Sequence, residues 1–400
     1  MTPRPVRRLQ IAFLAALALA LATSAPAQNR YGPGVSDTGI KVGNLVPYTG
    51  PFAEYGVIGR AEAAYFRMVN ERGGINGRKV AFLSLDSGPK FQAALDQARA
   101  LVERERVLLL FSTWGASVNR AIRPYLNERQ VPQLFIASVG GDLEDPARFP
   151  WTMGFAPSRR TEAAAYAKYL LEHRPGARIA VLTSDDEDGA EYRGGLREGL
   201  GAKAEQMIVR ESAFSYQDID GIDALVAGFR QAGADVFMNL AVGRYATRGI
   251  RAAYDQGWRP LQFLPNASLS IAAFLEPAGL EKAAGLICNA RSKDWTTPEG
   301  RKDPAVQAFL AWMERYNPEG RLRDAQNVYG YEAAQALEEV LRRCGDELTR
   351  ENVMRQATHL DLALGMLRPG IRLRTSPTDY RPIKDLFLVR FNGKEWVPLD

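Results

Sequence analysis

The chain of 400 residues is poor in the side chains that bind transition metals, with only two cysteines and two histidines. These four residues are widely separated, which argues against a zinc site built from closely spaced ligands. Two cysteines also make no disulfide framework, so Cys288 and Cys344 either form one bridge or stay buried as free thiols. We therefore predict no metal and no cofactor.

Long basic blocks are missing as well. The 51 Lys and Arg residues are interspersed with 46 Asp and Glu residues, a mixture typical of a solvated surface. This balance does not indicate a nucleic-acid partner. Common catalytic motifs, such as a nucleophile elbow, a zincin helix or a Walker loop, do not occur. We expect no enzyme, although Glu54 with Asp188 could in principle do acid–base work in a cleft.

A single long apolar run, from Ile11 to Ala22, lies near the start of the chain. The run is shorter than the roughly 20 residues that a membrane-spanning helix needs. It follows Arg4, Arg7 and Arg8 and precedes Ala25-Pro-Ala27, an order typical of a secretory signal peptide. We predict a signal at residues 1–27, cleavage after Ala27, and a soluble product exported to the periplasm with a net charge near +2.

The stretch from Ile40 to Gly56 is the most informative part of the remaining sequence. An apolar strand ends at Pro47, which has no N–H for a strand ladder, and an amphipathic helix follows the loop. A second strand from Val80 to Leu85 completes a right-handed β-α-β unit. Ligands of such sheets bind at the loops after the strands, so the loop from Tyr48 to Gly56 predicts a small-molecule site.

The same β-α-β-α-β-α-β order occurs twice, first from Ile40 to Ala137 and again from Arg178 to Leu264. Ser117 is predicted to cap a helix in the first repeat, and Gln206 to Val209 to form a short strand in the second. About 370 mature residues also exceed the size at which one core stops growing. We therefore predict an α/β protein with two parallel-sheet lobes.

The last third of the sequence is too irregular for a third domain. Its strands and helices must extend the two lobes, so the chain should cross between them more than once and form a hinge. We predict one lobe from residues 28–156 and 288–385, and the other from residues 157–287 and 386–400.

Several motifs then occur in an order that resembles the periplasmic substrate-binding proteins of ABC transporters, in particular the leucine/isoleucine/valine-binding type. The motifs begin at Pro47, Glu71, Val131, Pro277, Leu348 and Thr375. The resemblance covers essentially the whole mature chain. It implies the type I periplasmic binding protein fold, in which two Rossmann-like lobes joined by a three-strand hinge trap a ligand between them.

The resemblance also implies which residues bind the ligand. In the first lobe these are Tyr55, the loop Thr113, Trp114, Gly115 and Ala116, and the loop Ala137, Ser138 and Val139. In the family such loops bind a carboxylate through hydroxyls and backbone N–H groups, as helix N-termini can. In the second lobe and the returning segment they are Asp188, Val242, Asn266 and Gln326. From the residues alone, Tyr55 and Trp114 could instead belong to the core.

The sequence departs from the family at positions that bear on the ligand. Asp188 stands where the family has a tyrosine. Asn266 lies near the position of the acidic residue that binds the α-ammonium group of the ligand in amino-acid-binding members of the family. A branched-chain amino acid is therefore one expectation, and an aromatic or aliphatic acid without an amine is another. We expect a monomer that delivers its ligand to an inner-membrane ABC permease. A clamp that reports ligand to a regulator is one alternative, and an exported α/β enzyme is another.

Overall fold

The computed structural model describes residues 30–88, 91–137, 140–143 and 145–399. The predicted signal peptide lies outside these ranges. Within them, no helix is both long and apolar enough to cross a membrane. The strands are β1 Arg30–Tyr31, β2 Gly39–Val46, β3 Lys79–Asp86, β4 Leu109–Phe111, β5 Gln133–Ile136, β6 Thr152–Gly154, β7 Ile179–Ser184, β8 Ile208–Phe214, β9 Val236–Asn239, β10 Leu261–Phe263, β11 Ile287–Ala290, β12 Glu347–Leu348, β13 Asp361–Leu362, β14 Leu373–Arg374, β15 Phe387–Phe391 and β16 Trp396–Pro398.

Helices cover both sheets. They are α1 Val57–Glu71, α2 Phe91–Arg99, α3 Ala116–Glu128, α4 Arg159–His173, α5 Glu187–Leu200, α6 Ala204–Met207, α7 Gly221–Gln231, α8 Arg244–Asp255, α9 Glu276–Ala278, α10 Leu280–Ala283, α11 Pro304–Tyr316, α12 Ala325–Cys344 and α13 Arg350–Ala357. Short 3₁₀ or π turns are Ala53–Gly56, Ala100–Arg104, Gly141–Leu143, Gly201–Lys203, Asn266–Ser268, Ile271–Leu275 and Gly300–Lys302.

The strands form two large sheets. The first contains five parallel strands in the order β3-β2-β4-β5-β6, and we call the part of the chain built around it the first lobe. The second contains seven strands in the order β16-β15-β11-β10-β9-β7-β8, and it defines the second lobe. The five strands from β7 to β11 are parallel to one another, whereas β15 and β16 add an antiparallel edge. The predicted α/β architecture with two mostly parallel sheets is confirmed.

Both sheets have the same internal topology. Counted within each lobe, the strand order is 2-1-3-4-5, so the direction of winding reverses between β2 and β4 and again between β7 and β9. Ligands of open α/β sheets bind beyond the carboxyl ends of the strands at such reversals. Each lobe therefore presents one such point, and the loops that follow these four strands are where a site is expected.

The strands are apolar because helices cover both of their faces. In β4, every residue from Leu109 to Phe111 is buried, and the same holds for β7. Helix α12 packs closely on α1, where a Cβ atom on Gly330 would lie 2.8 Å from the carbonyl oxygen of Ile58. Only glycine permits this approach, so Gly330 fixes the distance between the two helices.

The chain passes between the lobes three times, as predicted. The passages lie between β6 and α4, directly after β11, and before β15. The predicted division between residues 287 and 288 is too early, because it cuts strand β11, which belongs entirely to the second sheet. The remaining predicted boundaries stay predictions.

Two local predictions need correction, and one open alternative is resolved. Helix α3 begins at Ala116 after Gly115, so Ser117 is not its N-cap. The strand predicted from Gln206 to Val209 begins at Ile208 and continues to Phe214, because residues 204–207 form helix α6. The two cysteines are both buried and free, so the one-bridge alternative is wrong and the free-thiol alternative holds.

Candidate functional site between the lobes

A cavity of about 860 Å³ lies between the two lobes. Its walls include the loops after β2 and β4 of the first sheet and after β7 and β9 of the second, so it occupies both points of topological reversal. Aromatic side chains make up much of the wall: Phe52, Tyr55, Trp114, Tyr192, Tyr216, Trp295, Tyr329 and Trp396. A cavity with this lining suits an organic molecule with an apolar body.

The loop after β2 places Tyr55 in the wall. Its ring stacks on Trp114 with centroids 4.4 Å apart, and its hydroxyl donates to the carbonyl oxygen of Ala267 in the second lobe over 3.0 Å. Burial raises the pKa of the Tyr55 phenol well above its ordinary value, so the hydroxyl remains a donor. The neighbouring Phe52 packs edge-on against Tyr216 of the second lobe at 5.2 Å. This loop thus joins the two lobes.

The loop after β4 presents a helix N-terminus to the cavity. Gly115 precedes α3 with φ of 97°, a backbone conformation that glycine adopts readily, and no side chain caps the helix. Gly115 and Ala116 both line the cavity. The first N–H groups of a helix have no partner within it and carry partial positive charge. This end of α3 is therefore suited to a carboxylate.

Thr113 has a different place from the one predicted. Its side chain is fully buried, donates to Asn119 Oδ1 over 2.6 Å, and accepts from Gln133 Nε2 over 3.1 Å. Among the described candidates, Thr113 alone lies off the cavity wall. Its hydroxyl holds the loop in place instead of facing a ligand. Ala137 lines the cavity, while Ser138 and Val139 lie outside the described residues.

Asp188 lines the cavity from the first turn of α5, but its carboxylate is already paired. Its Oδ1 accepts from Arg120 Nη1 over 3.0 Å, and its Oδ2 lies 2.9 Å from Arg159 Nη2. Arg120 belongs to α3 in the first lobe, whereas Arg159 opens α4 in the second. Arg120 also pairs with Glu187 over 2.9 Å. The predicted role of Asp188 as partner of a ligand ammonium therefore competes with two guanidinium groups.

The backbone N–H of Asn266 and both polar atoms of its side chain form hydrogen bonds within the protein. Its backbone N–H donates to Glu162 over 2.6 Å, its Nδ2 donates to the carbonyl oxygen of Asn289, and its Oδ1 accepts from Arg291. Burial raises the pKa of Glu162, which also accepts from Tyr166, Tyr192 and Asn289. Asn266 thus supports the wall through a buried polar network.

The remaining predicted residues also reach the cavity. Val242 follows β9, and Gln326 lies in the first turn of α12, where its Nε2 donates to the carbonyl oxygen of Ala267 over 3.4 Å. The structure therefore brings together Tyr55, Trp114, Gly115, Ala116, Ala137, Asp188, Val242, Asn266 and Gln326 around one cavity.

The N-terminus of helix α8, on the second-lobe side of the cleft, is covered by the side chain of Glu54. Helix α8 follows Gly243, and a Cβ atom there would lie 2.7 Å from Glu54 Oε1 of the first lobe. Burial raises the pKa of Glu54, and the backbone N–H of Arg244 opposes this shift. Because Glu54 covers the start of α8, the start of α3 is the glycine-capped terminus left to a ligand.

Charged residues on the wall include several that sequence reasoning missed. The cations are Arg159, Arg244, Arg291, Lys293, Arg323 and Arg368, and the acids are Glu162, Asp186, Asp188 and Asp294. Arg291 follows the carboxyl end of β11, and this position after a strand was the available signal for it. Arg159 carried no such signal, since it opens a helix after Ser158. In the described part of the chain, no cluster of His, Cys, Asp and Glu could hold a metal.

Arg291 also connects the cavity with the hinge. Its Nε lies 3.5 Å from Glu332 Oε2 of α12, and Ser292 donates to the same carboxyl group over 3.0 Å. Burial raises the pKa of Glu332 to about 7, against the opposing effect of Arg291. An ionisable pair of this kind lies beside the second passage between the lobes.

Two parallel-sheet lobes around a ligand-sized cleft define the class of bilobal solute-binding proteins. The family model described as "Periplasmic binding protein" matches residues 39–395, and the chain belongs to this family. Its members bind solutes in the periplasm and are not classed as enzymes. The recognition made from sequence motifs is thereby confirmed.

Individual relatives are distant. A Leu/Ile/Val-binding protein homolog 1 of Brucella abortus (strain 2308) is 23% identical over 316 residues, which cover 78% of this chain and 80% of that protein. A branched chain amino acid ABC transporter protein of Thermus thermophilus with bound valine has a TM-score of 0.81 at 17% identity, covering 92% of this chain and 96% of that one. A fatty acid ABC transporter substrate-binding protein of Thermomonospora curvata has a TM-score of 0.78 at 19% identity, covering 93% and 95%. At these identities the structures establish the shared fold.

Proposed function

We propose that this protein is the periplasmic solute-binding component of an ABC importer, and that it captures a small carboxylate by closing its lobes and delivers it to an inner-membrane permease. The observation that carries the proposal is the cavity itself, whose wall comes from both lobes. Neither lobe alone surrounds a small molecule, so opening and closing about the hinge is the route by which a ligand enters and is retained.

The charges on the wall support a carboxylate. Six cationic side chains and the glycine-capped start of α3 face the cavity, against four acids. Guanidinium groups and backbone N–H groups both form strong charge-assisted hydrogen bonds with carboxylates. The stacked rings of Tyr55 and Trp114 provide flat surfaces for an apolar or aromatic body.

A native mass spectrum of protein purified from its periplasm without refolding tests the proposal first. We expect a bound species with the mass of a small organic acid, and calorimetry with that acid should then give saturable binding. Small-angle scattering with and without the acid should show a smaller radius of gyration when it is bound. Binding of neutral amides or sugars, with no binding of any acid, would show that the carboxylate proposal is wrong.

A further inference from the structure

We propose that the ligand is a monocarboxylic acid with an aromatic or aliphatic body and no α-ammonium group, and that the Arg159–Asp188 pair sets this selectivity. This inference rests on the proposed function, since it concerns which carboxylate enters the same cavity. It chooses between the two ligand classes that the sequence left open, an amino acid and an acid without an amine.

Asp188 is the acid of the cavity wall that the sequence suggests as the partner of a ligand ammonium. Both its oxygens are used, one by Arg120 at 3.0 Å and the other by Arg159 at 2.9 Å. The side chains of Asp188 and Arg159 are each only 10% exposed, so the pair is shielded from water. An incoming ammonium would have to share this carboxylate with two guanidinium groups, whose positive charges oppose it.

The other acids of the wall are also engaged. Glu162 accepts hydrogen bonds from Tyr166, Tyr192, Asn289 and the backbone of Asn266. Asp294 accepts from the backbone N–H and the hydroxyl of Thr296.

Asp186 is the main competitor for the role of ammonium partner. Its Oδ1 accepts from the Ser184 hydroxyl over 2.5 Å and from the Gly189 N–H over 3.0 Å, which makes it the N-cap of α5. The positive end of the α5 dipole favours its negative charge, so part of that charge is already compensated. A ligand ammonium there would meet a weaker attraction than a free carboxylate offers.

The cationic side chains of the cavity wall disfavour a ligand that carries an ammonium group. Three of the guanidinium groups, those of Arg159, Arg291 and Arg323, are paired with Asp188, Glu332 and Glu276. Arg244 and Arg368 line the cavity without an ion pair to any described residue, so they would repel an ammonium and attract a carboxylate. An acid without an amine gains this attraction and avoids the repulsion. The aromatic wall then accepts its ring or chain through apolar contact.

Matched pairs of acids that differ only in the amine test the inference on the wild-type protein. Calorimetry would compare 3-phenylpropanoate with L-phenylalanine, and 4-methylpentanoate with L-leucine. We expect each des-amino acid to bind at least tenfold more tightly than its amino acid. Equal or tighter binding of the amino acids overturns this inference and leaves the proposed function intact. If no acid of either series binds and a neutral solute does, the inference and the proposed function are both wrong.

The variant Arg159→Gln tests the origin of the selectivity. It frees Asp188 Oδ2, so the preference for the des-amino acid should shrink at least threefold, through weaker binding of the acid and stronger binding of the amino acid. Arg160→Gln is the matched control, because Arg160 is the next residue on α4 and pairs with Glu198 away from the cavity. An unchanged preference in a folded Arg159→Gln protein contradicts the proposed role of Arg159.

A third variant examines the competing acid. Asp186→Asn should weaken binding of both members of each ligand pair to a similar extent, because it alters the cap of α5 but removes no partner of an ammonium. If L-leucine binds the wild-type protein and Asp186→Asn abolishes this binding, Asp186 holds an ammonium and the inference is wrong. The comparison of ligand pairs on the wild-type protein decides the matter even where a variant fails to fold.

Discussion

Arg120 lies in the first lobe and Asp188 in the second, and the Arg120 Nη1 atom donates to Asp188 Oδ1 over 3.0 Å. Arg120 is held from its own lobe by Asp142, which lies 3.0 Å away. The guanidinium therefore connects the two lobes, and Asp188 also pairs with Arg159 on the cavity wall. An ion pair of this kind requires the lobes to lie close together, so under the proposed closing motion it would stabilise the closed state.

The first prediction concerns this pair. Arg120→Gln should weaken ligand binding by about 1–2 kcal/mol, or roughly 5–30-fold, because a shielded ion pair contributes more than an exposed one. Most of the loss should lie in a faster dissociation rate, since the pair forms after the ligand has entered. Stopped-flow fluorescence and calorimetry measure both quantities.

Arg129→Gln is the control for this variant, because Arg129 follows the same helix and lies 4.0 Å from the exposed Glu103 of its own lobe. Its affinity should equal that of the wild type. Identical dissociation rates for Arg120→Gln and the wild type would contradict a role for Arg120 in closure.

The second prediction separates the two contacts of Tyr55. Tyr55→Phe keeps the ring stack on Trp114 but removes the hydrogen bond to Ala267 across the cleft. We expect affinity to fall by about 0.5–1.5 kcal/mol, the usual net contribution of one hydrogen bond. Tyr55→Ala also removes the stacked ring and should lose clearly more. Calorimetry with the same ligand would compare the two, and equal losses would show that the hydroxyl carries the whole contribution.

Much of the fold could be predicted because its signals are local. Apolar runs bounded by turns, alternating with amphipathic helices, determine which segments become strands of a parallel sheet, and this pattern repeats in the two lobes. The predicted N-cap of α3, Ser117, lies two residues after the observed one, Gly115. The positive φ of Gly115 begins the helix earlier, and sequence alone does not show this angle.

The site was only partly predictable because its electrostatics depend on long-range pairs. Tyr55 and Trp114 could be found since they follow strands β2 and β4, where ligands of such sheets bind. Thr113 follows β4 as well, but its side chain points inward to Asn119. The pairing of Asp188 with Arg120 and Arg159 joins residues 68 and 29 positions away, and no spacing rule indicates it.

The third prediction concerns Gly115 at the start of α3. Its φ of 97° lies in a region that residues with a Cβ atom rarely adopt. Gly115→Ala should therefore destabilise the protein by about 1–2 kcal/mol and lower ligand affinity, because the N–H groups of the helix would shift. Gly176→Ala is the control, since a Cβ there meets no atom within 4 Å and φ is not positive. Thermal melts of the two variants should differ, and equal melting temperatures would contradict the argument.

The fourth prediction follows from the carboxyl group of Glu332 beside the hinge. Its pKa of about 7 in the folded protein is higher than the ordinary value of 4.5 that an unfolded chain would show. Between these two values the folded protein binds more protons than the unfolded chain, so the free energy of unfolding falls as pH rises from about 5 to about 7. Above pH 7 both states are ionised and the dependence on this group ends.

Glu332→Gln removes this titration while keeping the size of the side chain. The free energy of unfolding of the wild type relative to Glu332→Gln should fall by about 2–3 kcal/mol between pH 5 and pH 8, since each pKa unit corresponds to about 1.4 kcal/mol. Urea unfolding at several pH values measures the difference. Parallel pH curves for the wild type and Glu332→Gln would mean that Glu332 stays ionised beside Arg291 throughout this range.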